Sequence, residues 1–149
     1  MKTYEFANIQ ARPYPNIMEL RNPYIYGRVG VVINVSERDY PEEYRQSLLR
    51  QGKQLWHLPL SETGDDMGLD NIMQCVRILE QADEHNIPVI VHCYGGHNRS
   101  RVVVECYHYR KFGFQLYDEY LGAFNHLIYN CNKGLLPHIE IIEEMIRSL

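Results

Sequence analysis

The run Val91-His92-Cys93-Tyr94-Gly95-Gly96-His97-Asn98-Arg99-Ser100 brings a thiol, a glycine pair and a guanidinium together in one short stretch of chain. A thiolate is a strong nucleophile, whereas a free cysteine at neutral pH is mostly the thiol. Backbone N–H groups curled around one point form an anion-binding nest. Gly95 and Gly96, lacking Cβ, let the backbone turn and approach an anion closely. Such a nest stabilises a thiolate or a phosphate dianion. The planar fork of Arg99 can hold two phosphate oxygens, a contact that lysine does not reproduce. A helix expected to begin near Ser100 adds unpaired N–H groups and the positive end of its dipole. Ser100 can donate a hydrogen bond to the Cys93 sulfur and help it depart, or cap that helix, or do both. The chemistry this arrangement suits is attack by sulfur on the phosphorus of a bound phosphate. With four cysteines in the chain, chance would put Gly, Arg and Ser at these offsets only about once in a thousand sequences.

Neighbouring residues have plainer readings beside functional ones. His92 can hydrogen-bond nearby backbone and tune the thiol, or simply pack. His97 can face the pocket mouth, although a solvent-facing ring is the preferred reading. A metal held by Cys93, His92 and His97 would need a fourth ligand, and no second Cys/His pair stands at zinc spacing, so no metal is expected. The 12 tyrosines, among them Tyr94, Tyr107 and Tyr109, are mostly amphipathic packing residues, some of which can wall a phosphotyrosine ring. Cys106 and Cys131 read as buried small apolar residues. Cys75 lies off the strongest apolar face and is ambiguous.

These residues sit in an alternating α/β pattern. Residues 1–28 are the least readable, with Pro13, Pro15 and Pro23 breaking regular structure, although Tyr4 and Phe6 suit a short edge strand. Gly30 to Val35 is a β-branched apolar run and predicts a buried strand. Pro41 at a helix N1 position, followed by Glu42 and Glu43, predicts a helix to about Arg50. Gln54 to Leu58 predicts a second strand. Leu69, Ile72, Met73, Val76, Leu79 and Ala82 fall on one helical face. Ile87 to His92 predicts a third strand that feeds directly into Cys93. Helices are expected at about 100–112, 116–130 and 138–148, with Gly113 and Gly134 as stops. A nucleophile at the C-terminal end of such a strand fits ligand binding in open α/β sheets.

Composition narrows the function classes. At 149 residues the chain is most simply one domain, 1–149, able to bury a core without covalent staples. The hydrophobic share of 45% and charged share of 23% are those of an ordinary globule. A net charge of −4 and the lack of a basic cluster give no indication of a nucleic-acid or anionic-membrane partner. No apolar stretch near Met1 suits a signal peptide, and no run is long enough to span a bilayer. The cysteines form no CxxC pair, so reduced thiols and a cytoplasmic location are expected.

The run His92-Cys93-x-x-Gly96-x-x-Arg99-Ser100 resembles the signature of Cys-dependent protein tyrosine phosphatases, and the surrounding chain looks most like their small dual-specificity branch. Val31-Val32-Ile33-Asn34-Val35-Ser36-Glu37 is similar to that branch's early core strand. Trp56-His57-Leu58-Pro59-Leu60 is similar to the strand leading to its general-acid loop. Gln115-Leu116-Tyr117-Asp118-Glu119-Tyr120 matches the next helix loosely, so the resemblance runs from about residue 25 to 149. It implies an α/β fold with a central, mostly parallel sheet flanked by helices and the Cys-x5-Arg phosphate loop between a strand and a helix. It also implies hydrolysis of a phosphomonoester through phosphocysteine on Cys93, with no metal or cofactor, on a phosphorylated protein or peptide. Phosphate would be held by the loop residues Tyr94, Gly95, Gly96, His97, Asn98 and Arg99.

The general acid is less determined. A leaving alkoxide or phenoxide needs a proton, normally from a carboxylic acid, and the family places an Asp in a loop well before the nucleophile. The best-aligned position here holds Glu62, while Asp65 and Asp66 keep the residue type at a shorter spacing. Asp65 is the first choice, in a Gly-containing loop able to bend over the pocket, with Glu62 and Asp66 as alternatives. A solvated acidic loop, or capping of the next helix by Asp66 or Asp70, is the plainer reading. Two other function classes stay open: a phosphate-binding pseudophosphatase with a misplaced acid, and another Cys-loop enzyme such as a sulfurtransferase or an arsenate reductase. The five-residue gap to Arg99, with Ser100, favours the phosphatase over the shorter sulfurtransferase loop. The late position of the motif argues against the arsenate reductase arrangement. The absence of lysine from the loop favours a phosphoprotein over highly charged inositol phosphates or RNA triphosphate ends.

Overall fold

The computed structural model describes residues 4–6, 8–60, 69–94, 99–100, 103–104, 106–107 and 110–111. Five strands form one sheet: β1 (Tyr4–Phe6), β2 (Ile9–Arg12), β3 (Val31–Asn34), β4 (Gln54–His57) and β5 (Val89–His92), in the order β1-β2-β5-β3-β4. β1 pairs antiparallel with β2 at the edge; β2, β5, β3 and β4 run parallel. The expected mostly parallel α/β sheet is therefore observed, with helices α1 (Ile17–Arg21), α2 (Glu42–Arg50) and α3 (Leu69–Glu84). Arg99, Ser100 and the described residues from 103 to 111 are also helical.

Strand alternation divides the core in two. Val31 and Ile33, Val89 and Val91, and Ile9 and Ala11 face α3, where Ile72, Val76, Leu79 and Ala82 meet them with Val103, Val104 and Tyr107. Val32 and Ile90 face the other way, onto Leu20, Tyr26, Tyr40 and Leu48. Cys93 continues the first side and belongs to that core. The side chains at Arg12, His92 and Asn34 continue the second side, because successive strand residues point to opposite faces.

The helices end as their sequences dictate. In α2 the N–H groups of Gly52 and Lys53 return to the carbonyls of Leu49 and Leu48, with Gly52 at φ 75°, the left-handed residue such an end requires. In α3 the same pair of bonds runs from Asn86 to Asp83 and from Ile87 to Ala82, with Asn86 at φ 54° in place of glycine. The turn into β5 presses Ile87 against Gly30: a Cβ on Gly30 would lie 2.7 Å from Ile87 Cγ2.

Three expectations need correction. Pro41 is the N-cap of α2, one residue earlier than N1, with an extended ψ of 150°. The segment 1–28 holds β2, α1 and a short 3-10 turn at Tyr26–Arg28, where proline punctuation suggested irregular chain. Asn16 and Glu19 start α1 with a reciprocal capping box, a signal present in the sequence as Asn-x-x-Glu. Cys75 is fully buried in the α3 core, and burial pushes its thiol up to about 12. The expected helices at 116–130 and 138–148, Gly113 and Gly134, and Tyr109 and Cys131 lie outside the described residues. No helix among the described residues is long and apolar enough to cross a membrane.

Candidate active site

Parallel registration places the ends of four strands side by side. His92 of β5 pairs with Arg12 of β2 and with Asn34 of β3, and Asn34 pairs with His57 of β4. The chain leaves each strand at this C-terminal edge, where open α/β sheets bind ligands. Cys93 is the residue directly after β5. Its N–H donates to the Arg12 carbonyl at 3.4 Å, while the Val35 N–H donates to the His92 carbonyl at 2.9 Å. The nucleophile candidate is thus anchored to the neighbouring strands on both sides.

The Cys93 sulfur lies 3.3 Å from the Ser100 hydroxyl. Arg99 is already helical, so the helix starts before Ser100 and Ser100 is not its N-cap. The sulfur contact is the role of Ser100 that the geometry supports. Arg99 is 4% exposed, and its Nη1 donates to the Leu60 carbonyl at 3.2 Å. Cys93, Arg99 and Ser100 are therefore gathered at one end of β5. Tyr94, the residue after Cys93, is 60% exposed. Gly95, Gly96, His97 and Asn98 lie outside the described residues, as do Glu62, Asp65 and Asp66.

Superposition on solved structures tests the architecture that carries this group. Over 91% of both chains it matches Tk-PTP in its active form, with a TM-score of 0.68 at 17% identity. It matches TpbA of P. aeruginosa with a TM-score of 0.62 at 19% identity, covering 99% of this chain and 84% of that one. The core catalytic domain of the PP-IP phosphatase SIW14 from S. cerevisiae matches with a TM-score of 0.63 at 15% identity, over 97% of this chain and 82% of that one. The chain has the cysteine-based tyrosine phosphatase fold. No family model matches it, and no curated protein matches it by sequence.

Within this phosphatase fold His92 is fully buried, and desolvation holds its imidazole down to about 3, with the bond to the Cys93 backbone opposing. The ring is therefore neutral. A carbonyl only accepts, so Nδ1 carries the proton it donates to the Cys93 carbonyl at 3.3 Å, and Nε2 accepts from the Tyr40 hydroxyl. Burial raises the Tyr40 phenol well above its ordinary value and keeps it a donor. The ring packs in the core, and its bond to the Cys93 carbonyl fixes the backbone there. Neither ring nitrogen is left to face a metal.

Tyr40 is one of the residues that motif reading missed. So is Asn34, whose Oδ1 accepts from the Ser36 N–H at 2.9 Å and the Ser36 hydroxyl at 2.6 Å, while its Nδ2 donates to the Arg38 carbonyl at 2.8 Å. His57 Nε2 donates to the Ser36 carbonyl at 2.9 Å. These bonds fix the loop after β3 beside the C-terminal end of β5. The Asn-x-Ser spacing is a turn signal, but its place beside Cys93 depends on sheet order.

Proposed function

We propose that the protein is a phosphomonoester hydrolase of the protein tyrosine/dual-specificity type, acting through a phosphocysteine on Cys93. The observation that carries the reading is the Cys93 sulfur held 3.3 Å from the Ser100 hydroxyl beside a buried Arg99, at the ligand-binding edge of the sheet. TpbA, a relative in fold at a TM-score of 0.65 and 17% identity, has been solved in complex with pTyr. That likeness supports an aryl phosphate as substrate.

The chemistry is two displacements on phosphorus. Cys93 thiolate attacks in line with the leaving oxygen: an S–P bond forms and the P–O bond to the substrate breaks. The leaving oxygen takes a proton from a carboxylic acid, for which Asp65 is the first candidate and Glu62 and Asp66 are the alternatives. Arg99 and the N–H groups of Tyr94, Gly95, Gly96, His97, Asn98 and Arg99 hold the three equatorial oxygens, matching the charge of the transition state. In the second step the carboxylate removes a proton from water. The water oxygen bonds to phosphorus, and the S–P bond breaks to return the thiolate. The Ser100 hydroxyl donates to that sulfur as charge develops on it. No metal or cofactor enters either step.

The test is Cys93→Ser. Hydrolysis of an aryl phosphate should be abolished, since a hydroxyl is a far weaker nucleophile at neutral pH, while phosphate binding should survive. Comparable turnover by the variant overturns the covalent mechanism. The likeness to a PP-IP phosphatase makes a non-protein phosphoester the second reading. The absence of lysine from Tyr94 to Asn98 weighs towards phosphoprotein, and turnover of phosphopeptides against inositol phosphates decides between them.

A further inference from the structure

A cleft beside the C-terminal end of β5 has no part in the two displacements. After β2 the chain continues as Pro13-Tyr14-Pro15, which lines the cleft. Tyr14 joins two loops: its N–H donates to the Tyr94 carbonyl at 2.9 Å, and its hydroxyl donates to the Asp39 carbonyl at 3.0 Å. Its ring lies 6.3 Å from that of Tyr94 and 6.4 Å from that of Tyr44, and the Arg38 guanidinium stands over it at 5.5 Å. These four side chains border a cleft of about 490 Å³. A smaller pocket of about 230 Å³ contains Arg99, and Arg38 and Tyr94 line both. The path from Arg99 into the larger cleft therefore passes Arg38.

The charges of the cleft differ in how they are met. Arg12 is paired with Glu19 at 3.5 Å, and Asp39, the residue after Arg38, is paired with Arg45 at 2.9 Å. Among the described residues no carboxylate forms an ion pair with the exposed Arg38, whose cationic head rests on the Tyr14 ring. Its backbone is already fixed, because its carbonyl accepts from Asn34 Nδ2 at 2.8 Å. A preplaced guanidinium loses less freedom when an anion binds, and its fork matches a carboxylate. Glu37 lines the smaller pocket with Arg38. Its charge opposes a dianion about twice as strongly as a monoanion, which favours a carboxylate over a second phosphate. The tyrosine rings offer flat amphipathic contact for the chain that carries it.

We propose that Arg38, framed by Tyr14 and Tyr94, is a specificity subsite that binds an acidic side chain flanking the phosphorylated residue of a peptide substrate. The proposal rests on the phosphopeptide reading above. The probes are two phosphotyrosine peptides, identical except that the residues flanking phosphotyrosine are glutamates in one and glutamines in the other. Their dissociation constants are measured on the Cys93→Ser protein by calorimetry at low and high salt. The glutamate peptide should bind about fivefold tighter at low salt, the scale of one well-placed ion pair at an exposed site, with the ratio shrinking at high salt. Adding Arg38→Gln should bring the ratio close to one, while adding Arg50→Gln, an exposed charge of α2 away from the cleft, should keep it. Equal affinities, or a preference that survives Arg38→Gln, overturns the subsite. If the preference holds but wild type hydrolyses no phosphopeptide, the subsite stands and the proposed activity falls. If neither peptide binds, both fall.

Discussion

Arg99 Nη1 donates to the carbonyl of Leu60 at 3.2 Å, across 39 residues of chain. The Leu60 N–H in turn donates to the Val35 carbonyl at 3.0 Å. Arg99, the stretch after β4 and the exit from β3 are thereby one hydrogen-bonded unit. Segment 61–68, which carries the candidate acids, follows directly in sequence on Leu60, the residue that holds the guanidinium.

Arg99→Lys should lose at least about tenfold in kcat/KM on an aryl phosphate, equivalent to about 1.4 kcal/mol of transition-state stabilisation. Lysine offers a point charge and lacks the bidentate fork, and it lacks a second N–H set able to hold Leu60 while facing phosphate. Near-normal steady-state kinetics would show that the guanidinium points away from the substrate.

Ser100→Ala should slow the second displacement more than the first. The hydroxyl at 3.3 Å donates to sulfur as it becomes anionic, and a hydrogen bond to a charged group contributes about 1.5–3 kcal/mol. Rapid-quench kinetics should show a burst of phenol followed by a steady rate about ten- to a hundredfold below wild type. A variant without a burst, slowed equally in both steps, contradicts this role.

Amide substitutions should identify the acid. Of Glu62→Gln, Asp65→Asn and Asp66→Asn, the variant at the true acid should lose about 10²–10⁴-fold on phosphotyrosine. It should lose far less on a substrate whose phenol is already a weak base, and Asp65 is the expected position. A bystander carboxylate would shift both substrates alike. If wild type hydrolyses phosphotyrosine and none of the three variants shows the leaving-group contrast, the acid is elsewhere in the chain.

Acid should destabilise the protein through His92. Its ordinary value is 6.5, and burial holds it down to about 3 in the fold. Between those values the unfolded chain binds one more proton than the native state, so stability falls as pH falls. The contribution is complete above about 6.5 and is lost progressively towards 3. Urea unfolding between pH 6 and 5, above the ordinary carboxylate range, should lose about 1.2 kcal/mol from this group. His92→Asn should remove that slope; an unchanged slope would place the ring in contact with water.

Local chemistry was readable from the amino-acid sequence because its parts are local. Cys93, Arg99 and Ser100 lie within one short stretch between β5 and a helix, so their spacing alone implies their meeting. β3, β5, α2 and α3 were readable for the same reason, since the apolar run, start signal or apolar face that announces each one is local. What only the tertiary structure decided joins distant segments. β2 has four residues followed by prolines, and it exists because Ile9–Arg12 finds a register on Val89–His92. Tyr40 meets His92 across 52 residues, and Tyr14, Arg38 and Tyr94 share one cleft only because β2, β3 and β5 end side by side. Sheet order and register set those meetings, through backbone pairing that any extended chain can offer. Side-chain pattern selects which residues are buried, and the choice of neighbouring strand then determines which of them touch.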